Sequence, residues 1–156
     1  MCVVPAGWRN CKRPPSALQA CTKRPVRVAV NVTTLIAAAL GKIVLYAADA
    51  TGRPTTLIRE SGDLDFATVG LKEAAIAQTL RCGITYWIGI RYSSTAILSA
   101  WASTATPDLI CGAPVTTARK VLRRTLTYAT AALGTWGYLA SETNAGPGTA
   151  IWMRAA

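Results

Sequence analysis

Residues 42–91 read KIVLYAADATGRPTTLIRESGDLDFATVGLKEAAIAQTLRCGITYWIGIR, and this stretch decides the fold. Short runs rich in β-branched and aromatic residues alternate in it with Gly, Pro and Asp. Runs of this kind, separated by turns at intervals of roughly ten residues, are typical of antiparallel sandwiches and barrels. The stretch therefore predicts strands at residues 43–48, 55–59, 63–66, 71–80 and 84–92. The run 71–80 also has helix propensity, but its position between Gly70 and Gly83 favours a strand.

The flanking residues extend the pattern. Residues 26–34, VRVAVNVTT, carry valine at every second position, which predicts a strand with its valines on one buried face. Further strands are predicted at 96–102, 124–130 and 151–154, the last of which would close the sheet; a helix within 115–133 is the alternative to the second of these. Residues 107–114 and 134–148 are predicted loops. We therefore expect an all-β fold, an antiparallel, jelly-roll-like β-sandwich over residues 26–156.

Residues 1–25 form a different kind of segment, which we call the N-terminal arm. Its prolines and scattered basic residues favour an extended conformation, and it lacks the apolar core of a secretory signal. Such an arm has little core of its own, so it gains order by lying on a neighbour. We expect it to anchor the protein through Trp8, Arg9, Lys12, Arg13, Lys23 and Arg24.

Composition indicates a protein whose surface is largely covered by other molecules. Of the 156 residues, 51% are hydrophobic and only 15% are charged, whereas charged residues make up about a quarter of an ordinary soluble domain. A membrane protein is the competing explanation. The longest apolar stretch, residues 35–48, is interrupted by Lys42 and is shorter than the roughly 20 residues that cross a bilayer. We therefore expect a subunit of a larger assembly, with no membrane partner.

Positive charge is unevenly distributed along the chain. The net charge is +10, the first carboxylate is Asp49, and a second basic cluster occupies residues 119–124. A polyanionic partner is physically reasonable, but a basic surface that faces water or neighbouring subunits is the favoured interpretation. No helix-turn-helix, zinc spacing or aromatic RNP pattern is present, which argues against nucleic acid as the partner.

The residue types needed for catalysis or for a metal site are scarce. The chain has no histidine, which removes the commonest general base and excludes Ser-His-Asp and Cys-His systems. Asp63 and Asp65 could share a strand face as a glycosidase pair or a calcium site, but turn residues are the favoured interpretation. The five cysteines form no C-x-x-C pair, which argues against a zinc site. Because the sequence shows no secretion signal, buried thiols are favoured over a disulfide among the N-terminal cysteines. We expect no enzyme activity, no cofactor and no metal.

Tryptophan offers the best candidate for a binding contact. Aromatic residues in a sandwich usually belong to the core, which is the expectation for Trp87 and Trp152. Trp136 and Tyr138 lie instead in the predicted loop 134–148. They are the candidate glycan contacts, with packing in the core or against another subunit as the favoured alternative.

The order of the motifs resembles a known domain. VRVAVNVTT is followed by LYAADATGRP, LIRESGDLDFATVGLKEAAI, RCGITYWIGI and a terminal IWMR. This order is similar to the β-sandwich domain of tailed-bacteriophage virion surface and appendage proteins, namely head-fibre, capsid-decoration and tail-fibre proteins. The resemblance covers residues 26–90 and the last few residues. The N-terminal arm and the basic segment 119–124 depart from the pattern of that family.

The resemblance implies a structural role in the virion and supplies no catalytic residues. We accordingly expect a capsid-decoration, head-fibre or tail-fibre subunit on the particle surface, a homo-oligomer (a trimer for the decoration role), bound to other virion proteins. A tail-fibre role would add host attachment through a glycan. The alternative function is a carbohydrate-binding β-sandwich module.

Overall fold

The computed structural model describes residues 22–23, 25–81, 83–100, 121–137, 143–144 and 149–155. Within these ranges the chain forms strands and no helix, and every strand pair is antiparallel. The fold is therefore all-β, as the sequence predicts. The strands are β1 Thr22–Lys23, β2 Pro25–Thr34, β3 Leu40–Ala48, β4 Pro54–Glu60, β5 Leu64–Asp65, β6 Gly70–Ala75, β7 Leu80–Arg81, β8 Tyr86–Tyr92, β9 Ile97–Leu98, β10 Val121–Leu122, β11 Thr143–Asn144 and β12 Ile151–Ala155.

Two sheets make the sandwich, and each is centred on one of the two longest strands. In the β2 sheet, β2 pairs with β6 along one edge and with β12 and β9 along the other. In the β3 sheet, β3 pairs with β8 along one edge and with β4 and β5 along the other. The remaining strands form two short pairs, β1 with β7 and β10 with β11.

The core lies between the two sheets. Val28, Val30 and Val32 are buried, and together with Ile43 of β3 and Phe66 they belong to one hydrophobic cluster. On the other face of β2, Arg27 and Thr33 are exposed, Asn31 is partly buried and Ala29 is buried. The predicted inward face is confirmed for Val28, Val30 and Val32, because every second residue of a strand points to the same face.

Strand β3 is buried on both faces, which explains its continuous apolar run. Ile43 faces the sandwich core, while Val44 and Tyr46 belong to a second cluster with Trp87 and Ala132. That second cluster lies on the outer face of the β3 sheet, under residues 122–137 of the same chain. A strand covered on both sides needs no polar face, so it shows no alternation.

Several predicted elements differ from those observed. The strand predicted at 124–130 is wrong: residues 123–127 have no regular structure and a turn follows, because this segment crosses the β3 sheet as a cover instead of joining a ladder. Strand β6 ends at Ala75, and Leu80–Arg81 forms β7. The predicted loop 134–148 contains β11, while the predicted loop 107–114 lies outside the described residues.

Candidate functional site

The two outer faces of the sandwich differ in what covers them. Residues 122–137 cover the β3 sheet, and Leu122 and Trp136 pack onto its outer cluster. This cover also extends the sheet edge, because the Leu57 N–H donates to the Gly134 carbonyl at 2.8 Å and the Trp136 N–H donates to the Thr55 carbonyl at 2.7 Å. In the described part of the chain, no comparable segment lies over the β2 sheet.

Arg91 fixes the cover to the β3 sheet. Its guanidinium pairs with Glu60 and donates to three carbonyls of the cover, those of Thr127, Tyr128 and Thr130, at 2.6–3.3 Å. The side chain is only 11% exposed. A planar guanidinium with five N–H donors suits this arrangement, since it can serve a carboxylate and several carbonyls at once.

Asp63 belongs to the same structural network. It accepts a hydrogen bond of 2.7 Å from the Tyr128 hydroxyl, and the ammonium group of Lys42 lies 3.6 Å from the carboxylate. Burial, followed by the hydrogen bond to Asp63, raises the pKa of Tyr128 above the usual tyrosine range. The contact therefore joins the cover to the loop before β5.

Asp65 and Asp49 stabilise turns. Asp65 accepts hydrogen bonds from the Ala67 N–H and the Thr68 hydroxyl, and Asp49 accepts them from Thr51 and from the Arg53 N–H. These bonds, led by those from the threonine hydroxyls, lower the pKa of both carboxyl groups. Asp63 and Asp65 thus have separate partners. Among the residues that the structure describes, no group of three or more Cys, Asp or Glu residues could hold a metal ion.

Trp136 is engaged in packing. Its ring meets Tyr46 edge to face at a centroid distance of 5.3 Å, and the Arg124 guanidinium lies 5.1 Å from its centroid. Arg124 also donates to the Trp136 and Gly137 carbonyls. The predicted glycan contact through Trp136 remains a prediction, and Tyr138 lies outside the described residues.

The expectation that Trp152 belongs to the core is wrong. Trp152 is 42% exposed and lies opposite Ala29 on the outer face of the β2 sheet. Its neighbours Ile151 and Met153 pack against the core instead. Successive strand residues point to opposite faces, so Trp152 lies on the face away from Ile151 and Met153. The three consecutive apolar residues do not by themselves show which of the two faces is the core, and the packing of Ile151 and Met153 decides it.

A groove runs beside Trp152. It has a volume of about 310 Å³ and is lined by Arg27, Ala29, Leu71, Glu73, Trp152 and Met153. Arg27 and Glu73 form an ion pair of 2.9 Å at its side. We call this site the Trp152 groove; sequence reasoning missed it because its residues come from three strands whose pairing is set by the fold.

Exposed apolar side chains mark one end of the β2 sheet, which we call the apolar end. Leu35, Val69 and Ile97 are 45%, 58% and 58% exposed. Leu35 directly follows β2, Ile97 pairs with Thr34, and Val69 precedes Gly70, which pairs with Val32. The register therefore brings the three residues to the end of β2 that lies away from Arg27.

Most of the predicted anchor residues lie outside the residues that the structure describes. Lys23 is in β1, where it pairs with Leu80. The remaining anchor residues, Trp8, Arg9, Lys12, Arg13 and Arg24, lie outside the described residues. No helix in the described ranges is long and apolar enough to cross a membrane.

Comparisons with protein-family models, with curated proteins and with solved structures find no match to this chain.

Proposed function

We propose that this chain is a non-enzymatic structural subunit of a bacteriophage virion. In this role it is a capsid-decoration, head-fibre or tail-fibre protein at the particle surface. The N-terminal arm anchors it to other virion proteins, and copies of the chain associate with one another. The motif order of residues 26–90 and the low charged fraction support the proposal.

The apolar end is the observation that carries the structural role. Single exposed hydrophobic residues are ordinary on a protein surface, but a contiguous group marks a surface for another molecule. Here the register places three exposed aliphatic residues at one end of the β2 sheet, over whose outer face no segment of the described residues lies. Burying them against a neighbour stabilises an assembly by roughly 25 cal/mol per Å² of apolar area.

The described carboxylates agree with a non-catalytic role. Asp49 and Asp65 hold turns, Asp63 binds Tyr128, and Glu60 pairs with Arg91. Glu73 pairs with Arg27. Each of the five therefore has a structural partner that accounts for its position.

The proposal is tested by the association of the purified full chain in sedimentation velocity. The wild type is expected to form oligomers, and the double variant Val69→Ser with Ile97→Ser is expected to raise the dissociation constant by at least about tenfold. Ile84→Ser is the matched control, because Ile84 is 54% exposed but lies in the loop between Gly83 and β8. A wild-type chain that stays monomeric at roughly 100 μM would contradict the proposal.

A carbohydrate-binding module is the second candidate function. The observation that favours it is the Trp152 groove, where an exposed aromatic ring and an ion pair share one sheet face. Such a site suits host attachment by a tail-fibre subunit as well as a free module.

A further inference from the structure

The Trp152 groove is an open depression that follows directly from the strand register. Ala29 lies between Trp152 on β12 and Glu73 on β6, both of which pair with it. A methyl side chain between two long ones leaves a depression with Ala29 as its floor. Ala29 is buried although it lies on the outer face, because its larger neighbours rise on both sides.

The chemistry of the walls selects for a ligand with both apolar and polar edges. Trp152 supplies an exposed aromatic surface, and Leu71 adds an aliphatic one. Arg27 is 52% exposed and paired with Glu73 through one terminal nitrogen, so Glu73 orients a guanidinium that has five N–H donors. A pyranose ring has this combination, since one face carries C–H groups and its rim carries hydroxyls.

We infer that the Trp152 groove binds a neutral pyranose ring of a glycan. The C–H face of the sugar packs on the indole of Trp152, and its hydroxyls accept hydrogen bonds from Arg27. The volume, about 310 Å³, is at the lower end of the roughly 300–1,000 Å³ usual for small-molecule sites, which suits one or two sugar rings.

The Arg27–Glu73 pair favours neutral sugars over acidic ones as ligands of the groove. Arg27 and Glu73 neutralise each other at 2.9 Å. The carboxylate of an acidic sugar would compete with Glu73 for Arg27 and would be repelled by Glu73 itself. A hydroxyl can join the pair without breaking it.

This inference gives the second candidate function a ligand class and a site, and it is independent of the structural role. Val69 and Ile97 of the apolar end do not line the groove. A chain that associates without binding sugar, or that binds sugar as a monomer, therefore separates the two ideas.

The test uses the full chain and a panel of methyl glycosides and disaccharides of glucose, galactose, mannose and N-acetylglucosamine. Binding is followed by saturation-transfer NMR and by calorimetry, with an expected dissociation constant of roughly 0.1–10 mM. Trp152→Ala is expected to weaken binding by at least about tenfold. Ala29→Val should also weaken sugar binding while leaving the indole of Trp152 in place. The larger valine side chain fills the floor of the groove and is compatible with a strand.

Ile84→Ser is the control for both variants and should bind as the wild type does. The double variant Val69→Ser with Ile97→Ser should also retain sugar binding. The inference is overturned if no neutral sugar binds at about 50 mM, if only acidic sugars bind, or if Trp152→Ala and Ala29→Val leave binding unchanged. It is also overturned if these two variants alter association of the chain and not sugar binding.

Discussion

Gly41 lies in β3 where the ring of Phe66 packs against the backbone. A Cβ atom at this position would come within 2.1 Å of Phe66 Cζ and 2.3 Å of Cε2. Phe66 is fully buried in the core between the sheets, so its ring cannot move without displacing other core residues. Here glycine is required by close packing and not by its backbone angles.

Gly41→Ala is expected to lower the free energy of unfolding by roughly 2–3 kcal/mol, the upper part of the range for overpacked cores. Urea denaturation measures the loss. Gly62→Ala is the control, since a Cβ at Gly62 meets no atom within 4 Å; its effect should stay within about 0.5 kcal/mol. Equal midpoints for the two variants would show that Phe66 does not pack on Gly41 in solution.

At the scale of elements, two Arg–Glu pairs with the same chemistry have different surroundings. Arg91–Glu60 lies under the cover with side chains 11% and 20% exposed, whereas Arg27–Glu73 is 52% and 31% exposed on the outer face of the β2 sheet. Removing a charge from a buried pair leaves its partner unpaired in a poorly solvated position. Removing one from an exposed pair costs little, because water replaces the lost contact.

Arg91→Met is therefore expected to destabilise the protein by about 3 kcal/mol, and Arg27→Met by less than about 1 kcal/mol. Arg91→Lys should fall near the larger value, because an ammonium cannot reach the carboxylate and three carbonyls together. Chemical denaturation followed by circular dichroism gives the three values. If Arg91→Met cost no more than Arg27→Met, the cover would not depend on this residue.

At the scale of the whole molecule, the charge balance makes stability sensitive to acid. The chain carries 17 basic and seven acidic residues, so each protonated carboxylate increases the repulsion among its positive charges. The pKa values of Asp49 and Asp65 are lowered in the folded state. Between the folded and unfolded pKa values the unfolded chain binds more protons, so stability there rises with pH.

We expect the contribution of these two groups to be complete above about pH 4, near the ordinary aspartate pKa, and to be lost as pH falls through their lowered folded values. Thermal unfolding between pH 2 and pH 7 measures this dependence. The double variant Asp49→Asn with Asp65→Asn should show a flatter decline below pH 4 than the wild type. An identical decline in both proteins would mean that other carboxylates govern acid unfolding.

Local patterns were sufficient to predict several strands of the two sheets, through alternation in β2 and through apolar runs rich in β-branched and aromatic residues in β3 and β8. The valines of β2, the position of β8 and the terminal strand β12 follow from residues within a few positions of one another. These features are readable because a strand directs successive side chains to opposite faces wherever it occurs.

The two outer faces of the sandwich depended on contacts between distant parts of the chain. Tyr46 donates to the Leu133 carbonyl across 87 positions, and Arg91 reaches residues 127–130. No local pattern in residues 122–137 distinguishes a covering segment from a strand, because burial there is provided by a sheet formed earlier in the chain. For the same reason, local sequence does not distinguish Trp136, which packs against the β3 sheet, from Trp152, which is exposed. Sequence periodicity shows that the two faces of a strand differ in polarity. Only tertiary packing determines which face another segment of the chain covers.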